Sequence, residues 1–127
     1  MTQVLSIVAT AHRATLEEQD DTILWLTSMC SGAGLQVEVL LEGNSVNYGV
    51  RGQDAGGLRV GDVAIVNPPS LDRDLEALIG SGVPVHYIAD DAAALGIDEA
   101  TLVGGLKSVT RAELPTLFER FDQVWRW

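Results

Sequence analysis

Short apolar runs alternate along the chain with amphipathic stretches and with clusters of glycine, proline and polar residues. Val4 to Ala9 is a run rich in Val and Ile, of a length that suits a buried strand. It empties into the polar loop Thr10-Ala11-His12-Arg13-Ala14-Thr15, where Thr15 is placed to cap a helix. Glu17, Glu18, Asp20 and Asp21 then crowd the first turns, where the helix dipole favours negative charge. Leu16, Ile23, Leu26, Cys30 and Ala33 recur at helical spacing, and Gly32 and Gly34 end the helix. Gln36 to Leu41 predicts a second strand. After it Gly43 turns the chain, and Asn44 and Ser45 are placed to cap a short helical segment that runs to Gly49-Val50-Arg51-Gly52.

The stretch from Asp54 to Gly61 is glycine-rich and predicts a loop, and Asp62 to Val66 predicts a third strand, stopped by Asn67-Pro68-Pro69-Ser70. Ser70 caps the next predicted helix, with Leu71, Leu75, Leu78 and Ile79 on one side and Gly80 and Gly82 at its end. Val83 to Ile88 predicts a strand with Pro84 near its start, where a missing donor is tolerated. Asp90 and Asp91 open a short helical turn, and a short strand is expected within Leu102 to Val109. Thr110 caps a helix from about Arg111 to Arg120 with Pro115 inside it, and Asp122 to Trp127 is the last strand. Strands alternating with helices require crossovers, so the expected architecture is α/β: a Rossmann-like three-layer domain with a mainly parallel five-stranded sheet.

Composition narrows this picture. At 127 residues the chain is expected to form one domain, residues 1–127, and 46% hydrophobic against 20% charged residues suits a globular protein. The net charge of -10 makes nucleic acid and anionic membrane poor partners. A single cysteine, Cys30, excludes an internal disulfide and suits a reducing compartment. His12 and His86 are too few to argue for a metal, and no metal or cofactor is expected. No signal peptide and no apolar run of membrane-spanning length is read from the chain, so the expected location is cytoplasmic.

Ligands of open α/β sheets bind at the carboxyl ends of the strands, so candidate chemistry is sought just past those ends. The ligand-binding candidates are His12 after the first strand, then Asn44, Asn47, Tyr48 and Arg51 after the second, and Asp90 after the fourth. His12 is the one proton carrier among them, Arg51 suits an anion or a surface salt bridge, and Asp90 with Asp91 suits an acid/base pair or helix caps. No nucleophile elbow, P-loop or dinucleotide glycine pattern is present. Cys30 reads as a small apolar residue on the helix stripe, or as a nucleophile or sulfur carrier; its place near a helix C-terminus disfavours a thiolate. No catalytic residue is assigned. The tryptophans Trp25, Trp125 and Trp127 point to a subunit interface in so acidic a chain.

Three segments in this order resemble the DsrE/DsrF-like family, the small α/β proteins of DsrEFH-type sulfur relay. They are Ser45-Val46-Asn47-Tyr48-Gly49-Val50-Arg51-Gly52-Gln53, then Gly82-Val83-Pro84-Val85 with Ala94-Leu95-Gly96-Ile97, and finally Leu102 to Leu106 through Asp122 to Trp127. Asp54 to Pro69 is longer than the family pattern, and Leu95 stands where arginine is usual. The resemblance implies the Rossmann-like DsrE-like fold and homo- or hetero-oligomers, often trimers or hexamers, with sulfur-relay proteins as partners. It also implies a sulfur-carrying cysteine just past the V-P-V strand. Ile88 and Asp91 stand where that thiol would fall, and neither holds sulfur. The implied function is therefore a non-catalytic partner subunit of intracellular sulfur metabolism. The alternatives are a sulfurtransferase that uses Cys30 and a small-ligand binder at the sheet edge.

Overall fold

The computed structural model describes residues 1–11, 21–53, 56–57, 59–64, 66 and 68–127. Five strands form one parallel sheet: β1 Gln3–Val8, β2 Gln36–Leu41, β5 Val85–Ile88, β6 Lys107–Val109 and β7 Gln123–Arg126, in the order β6-β5-β2-β1-β7. The predicted α/β architecture is what the chain adopts. Register partners share a face of the sheet. Ser6, Val39 and Val85 therefore line one face with Val8, Leu41 and Tyr87, while Leu5, Ile7, Glu38, Leu40, His86 and Ile88 line the other.

The two faces are covered unequally. The helices α1 Thr22–Gly32, α2 Leu71–Gly80 and α3 Ala89–Ala94 pack on the first. There Ile23, Leu24, Leu71, Leu75, Leu78 and Ala92 join Val8, Val39, Leu41, Val85 and Tyr87 in the larger core. The second face carries α4 Leu114–Phe118, with Leu117 buried on Leu5, Ile7, Leu40, Ile88 and Val109 and with Leu114, Phe118 and Phe121 half-buried beside it. Each fully buried side chain such as Leu75 or Leu40 contributes about 1.5–3 kcal/mol of transfer free energy. The first three crossovers run one way across the sheet from β1 to β6, and the fourth returns to β7 beside β1. Right-handed crossovers put helices on opposite faces when their direction reverses, which is why α4 alone stands opposite the other three.

Several elements differ from the pattern reading, each for a local reason. Helix α1 begins at Thr22, where the buried Asp21 carboxylate accepts the backbone N–H of Ile23 and Leu24. Thr15 and Leu16 lie outside the described residues, and the buried stripe is Ile23, Leu24 and Thr27. Among the described residues, Asp62 to Val66 adds no strand to the parallel sheet. Val63–Ala64 (β4) pairs antiparallel with Arg59–Val60 (β3) in a small hairpin turned at Gly61, φ +62°, and its Val60 and Val63 are exposed. Ser70 occupies the N-cap position of α2 without a side-chain bond to the helix. The helix expected over Arg111 to Arg120 is a 3-10 turn, Arg111–Glu113, followed by the short α4. Pro115 then falls in the first turn of α4, where its missing donor is free of cost. The expected cap holds: Thr110 and Glu113 form a reciprocal capping box. Among the described residues no helix is long and apolar enough to cross a membrane.

Candidate functional site

The corner after β2 is built around Gly43. Its φ of +59° turns the chain sharply out of the sheet, a conformation that costs other residues about 1–2 kcal/mol. A 3-10 helix, Gly43–Gly49, follows, closed by i→i−3 bonds from Ser45 N to Glu42 O and from Val50 N to Asn47 O. Glu42 is its N-cap and makes no side-chain cap bond, so Asn44 and Ser45 lie inside the helix instead of capping it. Val46 and Tyr48 point into the main core, both fully buried.

Four neighbouring segments fix this corner. From α3, the Asp91 carboxylate accepts the Gly43 N–H at 2.8 Å and the Arg111 guanidinium on its other oxygen. From the start of α1, Asp21 accepts the Tyr48 hydroxyl at 2.8 Å. From the segment before β6, the Val103 N–H reaches Gly49 O at 2.8 Å, and Val50 bridges Leu102 antiparallel. The Gln53 amide folds back onto the carbonyls of Asn47 and Val50 at 2.6 and 2.8 Å, and Asp72 of α2 accepts the Gly52 N–H at 3.0 Å.

Of the predicted site residues, the structure brings Asn44, Asn47, Tyr48 and Arg51 together on this corner and places Asp90 beside it on α3; His12 lies outside the described residues. Asn44 is exposed, and its carbonyl accepts the Asn47 side-chain amide at 2.9 Å. Arg51 makes no salt bridge among the described residues. It donates to the Ala100 and Thr101 carbonyls at 2.6 and 3.3 Å, tying the corner to the 3-10 turn Glu99–Thr101. Asp90 and Asp91 do not cap their own helix, whose N-cap is Ile88. Asp90 accepts the Arg111 N–H at 3.1 Å, so both carboxylates join α3 to other segments. Two buried oxygens here, Ser45 Oγ and Asp72 Oδ1, have no partner among the described residues.

The bonds that matter most, from Asp21, Asp91 and Gln53, were not predicted. Asp21 and Asp91 read as helix-terminal acids in the sequence, and only their distant partners reveal the clamp. Gln53 closes the Arg51-Gly52-Gln53 motif, which was the available signal.

Cys30 stands apart from this corner. It lies in the last turn of α1, about 13 Å along the helix axis from Asp21 at 1.5 Å rise per residue. The carbonyl of Cys30 accepts from Leu35 N just before β2 begins, which puts it at the amino edge of the sheet. Its side chain is half-buried. Among the described residues no group of three or more His, Cys, Asp or Glu side chains is arranged to hold a metal ion.

No protein-family model matches the chain, and no curated protein matches it. Solved structures do. The ychN protein from E. coli superposes over the whole of both chains with a TM-score of 0.75 at 22% identity. MTH1491 from Methanobacterium thermoautotrophicum, described as a protein of unknown function, superposes over the whole of both chains with a TM-score of 0.61 at 16% identity. At such identities the likeness establishes the fold alone: a five-stranded parallel α/β sheet of the DsrE-like kind.

Proposed function

We propose that the chain is a non-catalytic DsrE-like subunit of intracellular sulfur relay, acting as a structural or binding partner in a homo- or hetero-oligomer. One observation carries this reading. Asp91, which stands where the resemblance calls for a sulfur-carrying thiol, is committed to the fold. One oxygen holds the Gly43 N–H and the other the Arg111 guanidinium. The other position considered for that thiol, Ile88, is fully buried in the core of the second face. The corner thus keeps its architecture while the place of the nucleophile is taken by a clamp. A relay partner without a thiol at that position is expected to assemble with subunits of the same fold that carry one, as trimers or hexamers.

The rival is a sulfur carrier that uses Cys30. Its half-buried side chain is the observation in its favour. Its place at the amino edge, far from the corner, weighs against it. Incubating native protein with a persulfide donor and then an alkylating reagent, followed by intact mass measurement, separates the two. No sulfur adduct on the native chain is expected, while the unfolded chain alkylates once at Cys30. A persulfide mass shift in the native protein would replace the partner reading with the carrier. Light scattering tests assembly, and a clean monomer, alone and with a cysteine-bearing relative, removes the subunit role.

A further inference from the structure

We propose that the β3–β4 hairpin of one copy of this chain docks into the groove between α1 and α2 of the next copy. Val60 and Val63 are cross-strand partners, so they share one face of the hairpin, and they are 62% and 64% exposed. Every residue from Arg59 to Ala64 is exposed, so neither face of the hairpin packs on its own chain. An isolated two-stranded hairpin is marginal in water, and contiguous exposed apolar side chains mark contact surfaces.

The groove offers the complementary recess. Trp25, 51% exposed, and the exposed Ala77 give it an accessible apolar wall, with the buried Leu24 and Leu78 at its base. Met29, one helical turn on from Trp25, is exposed beside it. The volume is about 220 Å³, below the roughly 300–1,000 Å³ of pockets that bury drug-sized ligands, so it suits a few inserted side chains better than a cofactor. No described residue of the hairpin lines this groove in its own chain. The occupant comes from another molecule.

Charge favours a second copy in this orientation. Copies of a chain with net charge -10 repel one another, so a contact between them needs a cation on one side. Arg59 is that cation. It precedes Val60, donates to the Asp62 carbonyl at 3.0 Å and makes no salt bridge among the described residues. Asp74 is the one charged residue in the described lining of the groove. Hairpin and groove are different patches of one surface, so the contact runs head to tail from copy to copy until it closes. This inference rests on the assembly proposed above and names the contact that builds its homo-oligomeric form.

Light scattering of the full chain tests it, with Val60→Ser/Val63→Ser to blunt the hairpin and Ala77→Lys to fill the groove. All three positions are exposed, so circular dichroism spectra should be unchanged. The wild type is expected to be an oligomer and each variant alone a monomer. An equimolar mixture of the two variants should give dimers and nothing larger, because one intact hairpin then meets one intact groove. The inference is overturned if the wild type is a monomer, if either variant keeps the wild-type mass, or if the mixture stays monomeric. Variants as large as an oligomeric wild type would overturn this contact and leave the proposed assembly standing. So would a monomeric wild type that associates with a cysteine-bearing relative.

Discussion

Tyr48 donates its hydroxyl to the Asp21 carboxylate at 2.8 Å, and both side chains are fully buried. The other Asp21 oxygen caps α1 through the N–H groups of Ile23 and Leu24. One carboxylate therefore fixes both the start of the first helix and the packing of the corner after β2. Tyr48→Phe leaves a buried carboxylate oxygen without its donor, and hydrogen bonds to charged groups are worth about 1.5–3 kcal/mol. A loss of that order is expected in urea denaturation. A loss below about 0.5 kcal/mol would mean that the pair does not couple the two elements.

Asp91 does similar work from the other side of the corner. Asp91→Ala removes the acceptor of the half-buried Gly43 N–H, for an expected cost of about 1–3 kcal/mol. Arg111 is largely exposed, so its ion pair adds little, about 0.5 kcal/mol. Asp91→Asn keeps an acceptor for Gly43 and gives up only the charge, so it should cost less than half as much. Equal losses from the two variants in chemical denaturation would assign the role to the Arg111 pair instead.

Much of this fold was legible because its strands are short apolar runs between turn residues. Gln36–Leu41 matches its predicted bounds, and the Val83-to-Ile88 run contains β5. The Asp62-to-Val66 run failed because apolar alternation does not say what a strand pairs with. Here Gly61 turned Val63–Ala64 back onto Arg59–Val60, out of reach of the sheet. The site was less legible, since a carboxylate beside a helix start looks like a cap whether or not a distant Tyr48 or Gly43 also binds it. One signal was present and passed over. Glu38 and His86 interrupt buried strands, and an ionisable group in such a run needs a partner on its own face.

Gly105 is required for two separable reasons. Its φ is +92°, and a Cβ there would stand 2.8 Å from Ile79 Cγ2 on α2. Gly61 also has a positive φ, +62°, but a Cβ there meets nothing within 4 Å among the described residues. Gly61→Ala should cost about 1 kcal/mol from the backbone alone. Gly105→Ala should exceed it by about 1–3 kcal/mol as Ile79 and α2 are pushed aside. Equal shifts in thermal denaturation would show that the Gly105 contact relaxes without cost.

Burial is the main cause that pushes the Tyr87 hydroxyl above the ordinary tyrosine value of 10.0, with Ser108 lowering it and Glu99 raising it further. A raised value means that the folded chain holds this proton more tightly than the unfolded chain does. The stabilisation is fully present below pH 10.0 and is lost as pH climbs through the folded-state value. Wild-type stability should fall more steeply above that pH than stability of Tyr87→Phe, which has no proton to lose. Parallel alkaline profiles for the two proteins would show that Tyr87 does not carry the effect.

Ser45 is the counterexample to the other polar residues of the corner. Its Oγ is fully buried and has no partner among the described residues, so the hydroxyl bears a desolvation cost without a compensating bond. Ser45→Ala removes that polar atom and little volume. The expected result is unchanged stability or a gain of up to about 1 kcal/mol, in contrast to the losses at Tyr48 and Asp91. The same variant bears on a ligand at the sheet edge, because a bound molecule or ordered water that accepts from Ser45 would turn the gain into a loss. Denaturation of wild type and Ser45→Ala, each freshly purified and after exhaustive dialysis, distinguishes the cases. A loss above about 1 kcal/mol that disappears on dialysis would identify the corner as a ligand site; one that persists would place a bound water or a protein group on Oγ.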